Sequence, residues 1–257
     1  MTWYATFFDD LYGRVLADQF TPALTTQHAQ IVKRLLGLRR GQRVLDVPCG
    51  QGRIAIPLAK LSMDVTGVDF SQPYLRRARR AARDAGVSVR WVCRDMRDIE
   101  FHEEFDAAFN WFSSFGYFSD RDDLAFARRV LAALRPGGRF LVEGFNKTWL
   151  LRHHLSQWEE THGDVHVANV WGWDERTNRM RDVWTMTKGQ RKVRRSVSVR
   201  QYSGAEIRDL LLIARFERVD LFRRAPTPVR FTANSRKWVA VAHKADGATL
   251  RRTKVRA

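Results

Sequence analysis

Cysteine is nearly absent from this 257-residue chain: Cys49 and Cys93 are the only two, too few for a disulfide framework and without the spacing of a metal site. A reducing, cytoplasmic setting is therefore expected, with no metal. Long apolar runs are also missing. No stretch approaches the ~18 residues that cross a bilayer, and the first ten residues are aromatic and acidic, unlike an export signal. A soluble protein with no membrane partner is expected. Acidic residues are in short supply, 28 Asp and Glu against 45 Lys and Arg, for a formal charge of +17. Such an excess suits a nucleic-acid or other anionic partner. The basic residues are nevertheless scattered in pairs such as Arg76-Arg77 and Arg128-Arg129, and only Arg191 to Arg200 forms a stripe, so solvated faces are the reading preferred over nucleic acid. A hydrophobic content of 44% excludes disorder over most of the length. The sequence carries no signal for an oligomeric state.

What is present centres on Arg43–Arg53. An alternating apolar run ends in Asp46, and a turn holding Pro48, Gly50 and Gly52 opens into Ile54–Ala59, the pattern of a strand, a tight loop and a helix start. Glycines there let a backbone approach a nucleotide-like ligand. A second strand, Val65–Asp69, ends in an acid suited to both hydroxyls of a ribose. Gly50-x-Gly52-x-x-Ala55 formally matches a dinucleotide fingerprint, but charge argues otherwise. Asp46 stands where a pyrophosphate would lie, and two such charges repel by several kcal/mol at an effective dielectric of about 20. A cationic, phosphate-free adenosine compound, S-adenosyl-L-methionine, fits the same carboxylates.

At these residues the chain resembles the class I S-adenosylmethionine-dependent methyltransferases. The family's first motif falls on Asp46-x-Pro48-x-Gly50-x-Gly52, with Pro48 in place of the first glycine; Asp69 matches the ribose acid, and Asp95-Met96 the pair that reads adenine. The resemblance runs from about Arg43 to Glu143. It implies an α/β, Rossmann-like fold with a seven-stranded, mostly parallel sheet, helices on both faces and an antiparallel last strand.

The rest of the chain is read in that frame. Trp3, Tyr4, Phe7, Phe8 and Tyr12 share one face of a single helix, followed by a second over Gln27–Leu38 that Gly41 ends. Residues 1–40 are expected as a helical lid whose Tyr4 and Tyr12 phenols reach the ligand, or as plain packing. Residues 41–145 form the binding core. Phe70 is placed against adenine or in the core, and Asp95 at the adenine or as a turn cap. The fourth strand, Phe105–Asn110, leads to a loop in which Asn110 and Trp111 are expected at the reaction centre, with Ser113, Ser114 and Tyr117 as polar contacts. Residues 146–202 break the βα alternation. A helix over Trp149–Glu160 and three antiparallel strands, Val165–Trp173, Met180–Thr187 and Val193–Tyr202, are expected over the cleft as a substrate lid. Arg194, Ser196, Ser198 and Arg200 share one face of the last strand, as solvated groups or substrate contacts. Residues 203–243 return to the core, and 244–257 form a basic, aperiodic tail.

Methyl transfer needs two aligned reactants and a dry site more than a reactive side chain. A neutral amine acceptor also needs a group to take its proton. Candidates for contact with the reacting groups are Glu143, Tyr117 and His153, with His154, Glu159 and His162 beside them. The expected activity is methyl transfer to N or O of a small-molecule acceptor. An RNA or protein methyltransferase, and a non-catalytic RNA-binding module on the same fold, are the alternatives.

Overall fold

The computed structural model describes residues 3–247, so the 248–257 part of the expected basic tail lies outside the described residues. The chain builds two sheets. In the first, order β11-β10-β12-β5-β4-β1-β2-β3, the parallel strands are β1 (Arg43–Asp46), β2 (Asp64–Asp69), β3 (Arg90–Cys93), β4 (Phe105–Asn110) and β5 (Leu134–Phe145). Next to them β12 (Lys237–His243) runs antiparallel between β5 and β10 (Arg218–Arg223). The two-residue β11 (Val229–Arg230) is an eighth strand at the edge, beyond the seven expected. Its brevity left no alternation to read.

Periodicity accounts for the two-faced core. β1 and β2 are buried on both faces, as strands under helices on each side must be. One face packs Leu45, Val68, Phe126 and Phe140; the other packs Val44, Leu58, Phe109 and Leu141. The strand order reverses between β1 and β4, so a crevice opens at their carboxyl ends.

The helices are α3 (Pro22–Leu36), α4 (Ala55–Lys60), α5 (Gln72–Asp84), α6 (Asp120–Ala133) and α8 (Gly204–Ile213), with α7 (Lys147–His153) leading into the second sheet. α3 starts five residues before its expected position, capped by Thr21 with Pro22 in the first turn, and ends at Gly37 in the left-handed conformation, not at Gly41. The aromatic N-terminus is two helices, α1 (Trp3–Phe7) and α2 (Asp10–Gln19). Asp9 divides them, because its side chain accepts from Tyr12 N at 3.1 Å and caps the second.

The second sheet is β6 (Gln157–His162), β7 (Val165–Asp174), β8 (Arg179–Lys188) and β9 (Arg191–Arg200), antiparallel throughout. The helix expected over Trp149–Glu160 stops at His153, and the remainder becomes β6. Leu150, Leu151, Leu155 and Trp158 mimic helical spacing, while β6 turns only Trp158 and His162 inward and so lacks a clear alternation. α1 and α2 pack on this sheet: Leu11 and Val15 meet Val165, Val167 and Met186, and Phe7 meets Val197 and Val199. Burying such side chains contributes roughly 1.5–3 kcal/mol each, enough to hold the N-terminal helices over the crevice. Among the described residues no helix is long and apolar enough to cross a membrane.

Candidate functional site

The crevice is a cavity of about 820 Å³ between the carboxyl ends of the parallel strands, the N-terminal helices and the inner face of the second sheet. At its floor stand the three strand-tip acids. Asp69 lines the cavity and is held by two backbone amides, Gly50 N on Oδ2 at 2.9 Å and Ser71 N on Oδ1 at 2.8 Å, which leaves acceptor capacity on each oxygen. Burial raises its carboxyl above the usual range, with those amides opposing the rise. Asp46 is raised further by burial, and the Arg53 guanidinium pulls against that shift while Asp69 adds to it. At Asp95, burial is outweighed by hydrogen bonds from Arg97 at 2.7 and 3.1 Å, which hold the carboxyl below its ordinary value. The same Asp95 accepts from Arg97 N and caps a 3-10 turn, Met96–Asp98. Asp95 is thus a turn cap that also lines the cavity.

Arg97 also donates to the Tyr4 hydroxyl at 3.0 Å, tying α1 to the third acid. Tyr4 meets Phe70 edge-on at 5.8 Å, and both line the cavity with Met96. Pro48, Gly50, Tyr12, Trp111 and Tyr117 line it as well. Gly50 lies at φ +54 with open space where a Cβ would be, a place for a ligand to approach. Gly52 does not line the cavity. Its φ is +76, and an added Cβ would stand 2.5 Å from the Trp91 ring, so it serves packing between loop and β3.

Two further expectations are corrected. Asn110 is fully buried beneath the floor, where its Nδ2 donates to Val47 O at 3.0 Å and braces the loop after β1. It supports the site from behind. Glu143, 0% exposed, is paired with Lys237 at 2.7 Å and Arg224 at 3.3 Å, and does not line the cavity. Burial would raise its carboxyl, but these cations outweigh burial and hold it ionised, so it is not placed to take an acceptor's proton. It has another use. Phe112 and Ser113 sit at φ +69 and +57, strained for side chains with a Cβ. Glu143 Oε2 accepts from Ser113 N at 3.0 Å, and Lys237 donates to Ser113 Oγ at 3.3 Å. The pair pins the strained loop that carries Trp111 and Ser114 into the cavity.

Tyr117 and Tyr12 are half-buried in the cavity wall; desolvation pushes the Tyr117 phenol up to about 12 and that of Tyr12 higher still. Both therefore stay protonated and serve as donors, not bases, near neutral pH. His153 and His154 line the mouth, stacked on Trp149 at 4.6 Å and on Trp171 at 3.8 Å. Glu159 and His162 do not line the cavity; Glu159 is near His166, and His162 Nδ1 lies 3.1 Å from Asp18. Arg200 is corrected as well. It is buried between Asp120 and Glu206 and lies over the Tyr202 ring at 4.4 Å, while Val197 and Val199 of the same strand face the cavity.

Sequence reasoning missed Arg53. Its guanidinium lies 3.8 Å over the Phe20 ring and donates to His28 Nδ1 at 3.0 Å. Burial and the adjacent Arg53 push His28 down to about 3, so the ring is neutral and accepts. Position was the available signal, since Arg53 immediately follows the glycine turn. The tryptophans of the second sheet, and Asp182 among them, were also missed. Among the described residues no cluster of His, Cys, Asp and Glu is placed to hold a metal.

The donor set fits S-adenosylmethionine. Asp46 offers a buried carboxylate to an ammonium, Arg53 a cation to a carboxylate, Asp69 two free lone pairs to a ribose, and Asp95, Met96, Phe70 and Tyr4 a flat, edged slot to a base. Comparison with known proteins agrees. The methyltransferase domain profile matches residues 44–138. A S-adenosyl-L-methionine-dependent Diels-Alderase of Talaromyces variabilis is 40% identical over 114 residues, 42% of this chain and 38% of that one. A ubiquinone biosynthesis O-methyltransferase of Bradyrhizobium diazoefficiens is 31% identical over 117 residues, 45% of each. The chain thus spans less than half the length of these two curated relatives. In three dimensions the CcbJ methyltransferase of Streptomyces caelestis aligns with a TM-score of 0.76 at 22% identity, over 90% of this chain and 92% of that one, a likeness of fold.

Proposed function

From a chain that carries a class I S-adenosylmethionine-dependent methyltransferase domain, we propose an enzyme that transfers the methyl group to N or O of a small-molecule acceptor enclosed beneath the second sheet. The observation that carries this reading is one continuous cavity with acids and a cation at one end and an apolar, tryptophan-rich wall at the other. Bound at the first end, S-adenosylmethionine supplies a methyl group on a sulfonium, open to in-line displacement by a lone pair. The protein's share is alignment and exclusion of water, together worth up to ~7–11 kcal/mol when two reactants are well placed.

Each wall has a part in that alignment. Asp69 fixes the ribose and Asp95-Met96 the base, while Asp46 and Arg53 hold the two ends of the amino acid. Tyr117 and Tyr12 stay protonated and orient the acceptor by donating hydrogen bonds. His153 and His154, at the mouth, present their imidazoles to the cavity as the groups placed to take the acceptor's proton. The N-terminal helices and the second sheet cover the crevice, which favours an enclosed acceptor over RNA or a protein surface.

The fungal relative bears on the test, because the name of that S-adenosylmethionine-dependent protein is a cycloaddition. Purified protein incubated with methyl-labelled S-adenosylmethionine and a cell extract, then separated into small metabolites, RNA and protein, is expected to give a labelled small-molecule product and stoichiometric S-adenosylhomocysteine. A metabolite consumed without label transfer overturns methyl transfer. Label carried only by RNA or protein overturns the small acceptor.

A further inference from the structure

The end of the cavity away from the strand-tip acids is walled by the inner face of β6–β9. Cross-strand register sets its side chains in rows: Trp158, Asn169 and Trp184 in one, Trp171, Asp182 and Val197 in the next. An acid thus sits at the middle of an indole-rich wall. Asp182 is 7% exposed, lines the cavity, and its Oδ1 has no hydrogen-bond partner. Burial pushes its carboxyl up to about 6, and the nearby Asn169 and Trp184 side chains limit that rise.

The other acids on the wall are accounted for. Asp46 faces Arg53, Asp69 holds two amides, Asp95 binds Arg97, and the exposed Glu160 is 3.2 Å from His162. Among the described wall acids, Asp182 alone has neither a cation nor a backbone donor. A lone buried carboxylate is costly, and the sheet supplies it no cation, only the partial relief of the Asn169 and Trp184 side chains; the Trp171 indole N–H beside it is also left unpartnered. A cation entering from the cavity would pair with the carboxylate, and the surrounding indole rings favour a cation over a neutral group.

We propose that Asp182 is the recognition site for a cationic amine on the acceptor, so that this chamber takes an amine carried on a flat apolar body and discriminates against its hydroxyl isostere. This rests on reading the tryptophan-walled end as the acceptor's place. It adds the chemical class of the acceptor and the residue that selects it.

The test compares 2-phenylethylamine with 2-phenylethanol, which differ only in the terminal group, titrated calorimetrically into wild type, Asp182→Asn and Asp182→Glu. The amine is expected to bind wild type about tenfold or more tighter than the alcohol. Asp182→Asn should erase that preference and Asp182→Glu should restore part of it. Equal binding of the two probes to wild type, no amine binding at millimolar concentration, or a preference that survives in Asp182→Asn overturns the proposal. S-adenosylhomocysteine titrated into the same three proteins separates the two ideas. Unchanged affinity in Asp182→Asn places the residue outside the cofactor site, as expected, and altered affinity counts against the proposal. Should S-adenosylhomocysteine bind none of them, the methyltransferase reading fails, while the amine comparison still decides the role of Asp182.

Discussion

Removing the carboxylate of Asp69 tests the ribose assignment with a magnitude the structure supplies. A carboxylate has about four lone-pair sites. The Gly50 and Ser71 amides use one on each oxygen, at 2.9 and 2.8 Å, which leaves one on each for a pair of vicinal hydroxyls. A hydrogen bond to a charged group contributes about 1.5–3 kcal/mol net. Asp69 already bears the burden of burial, so the lower end applies to each bond, or about 3 kcal/mol for two. That is roughly two decades in Kd for Asp69→Ala. Asp69→Asn keeps the shape and loses the charge; neutral hydrogen bonds are about half as strong, so roughly one decade is expected. Calorimetric titration with S-adenosylhomocysteine and its 2′-deoxy counterpart completes a cycle. In wild type the missing hydroxyl weakens binding, and in Asp69→Ala it makes no further difference. An unchanged Kd in Asp69→Ala, or a hydroxyl effect that persists there undiminished, refutes the reasoning.

Three other outcomes follow from the geometry. Glu143→Gln strands the buried Lys237 and frees the strained Ser113 loop, so chemical denaturation should show a loss of about 3–5 kcal/mol; a loss under 1 kcal/mol would remove the pinning role. Burial pushes Asp123 up to about 7 despite the hydrogen bond it accepts from Tyr202 at 2.8 Å. Its folded pKa therefore exceeds its unfolded one, and the stability it contributes in acid is lost as pH rises from about 4 to 7, by roughly 4 kcal/mol at about 1.4 kcal/mol per unit. Asp123→Asn should match wild type near pH 4 and exceed it above pH 7 in urea melts, and parallel pH curves would contradict this. Arg53→Gln should weaken S-adenosylhomocysteine about tenfold or more and leave 5′-methylthioadenosine, which lacks the amino-acid end, nearly unaffected. Equal losses for both ligands would place Arg53 elsewhere.

The first sheet was legible because its signals are local. Strands end in acids at Asp46 and Asp69, and the Ser71-Gln72-Pro73 start of α5 and the Pro136-Gly137-Gly138 stretch near the start of β5 are written in neighbouring residues. Arg215, just past α8, sits at φ +82, in the left-handed region that favours glycine. The second sheet was harder. β7, β8 and β9 alternate and were found; β6 was not, because it buries only His162 and, in part, Trp158, and its other four residues are exposed and polar. Side-chain partners were least legible. Glu143 lies near the end of β5, as the sequence implies, but only the fold brings Arg224 and Lys237, 81 and 94 residues on, to its carboxylate. Asp182 reads as an ordinary polar residue in a strand until Trp171 and Trp184 close around it.

The central claim is that carboxylates at the tips of β1 and β2 receive the two ends of one cationic adenosine ligand. A crystal structure of the protein with S-adenosylhomocysteine tests it most directly. The account predicts both ribose hydroxyls on Asp69, the ammonium at Asp46 and the carboxylate at Arg53, with the sulfur facing the tryptophan-walled chamber. A ligand lying elsewhere, or one whose ribose turns away from Asp69, contradicts it.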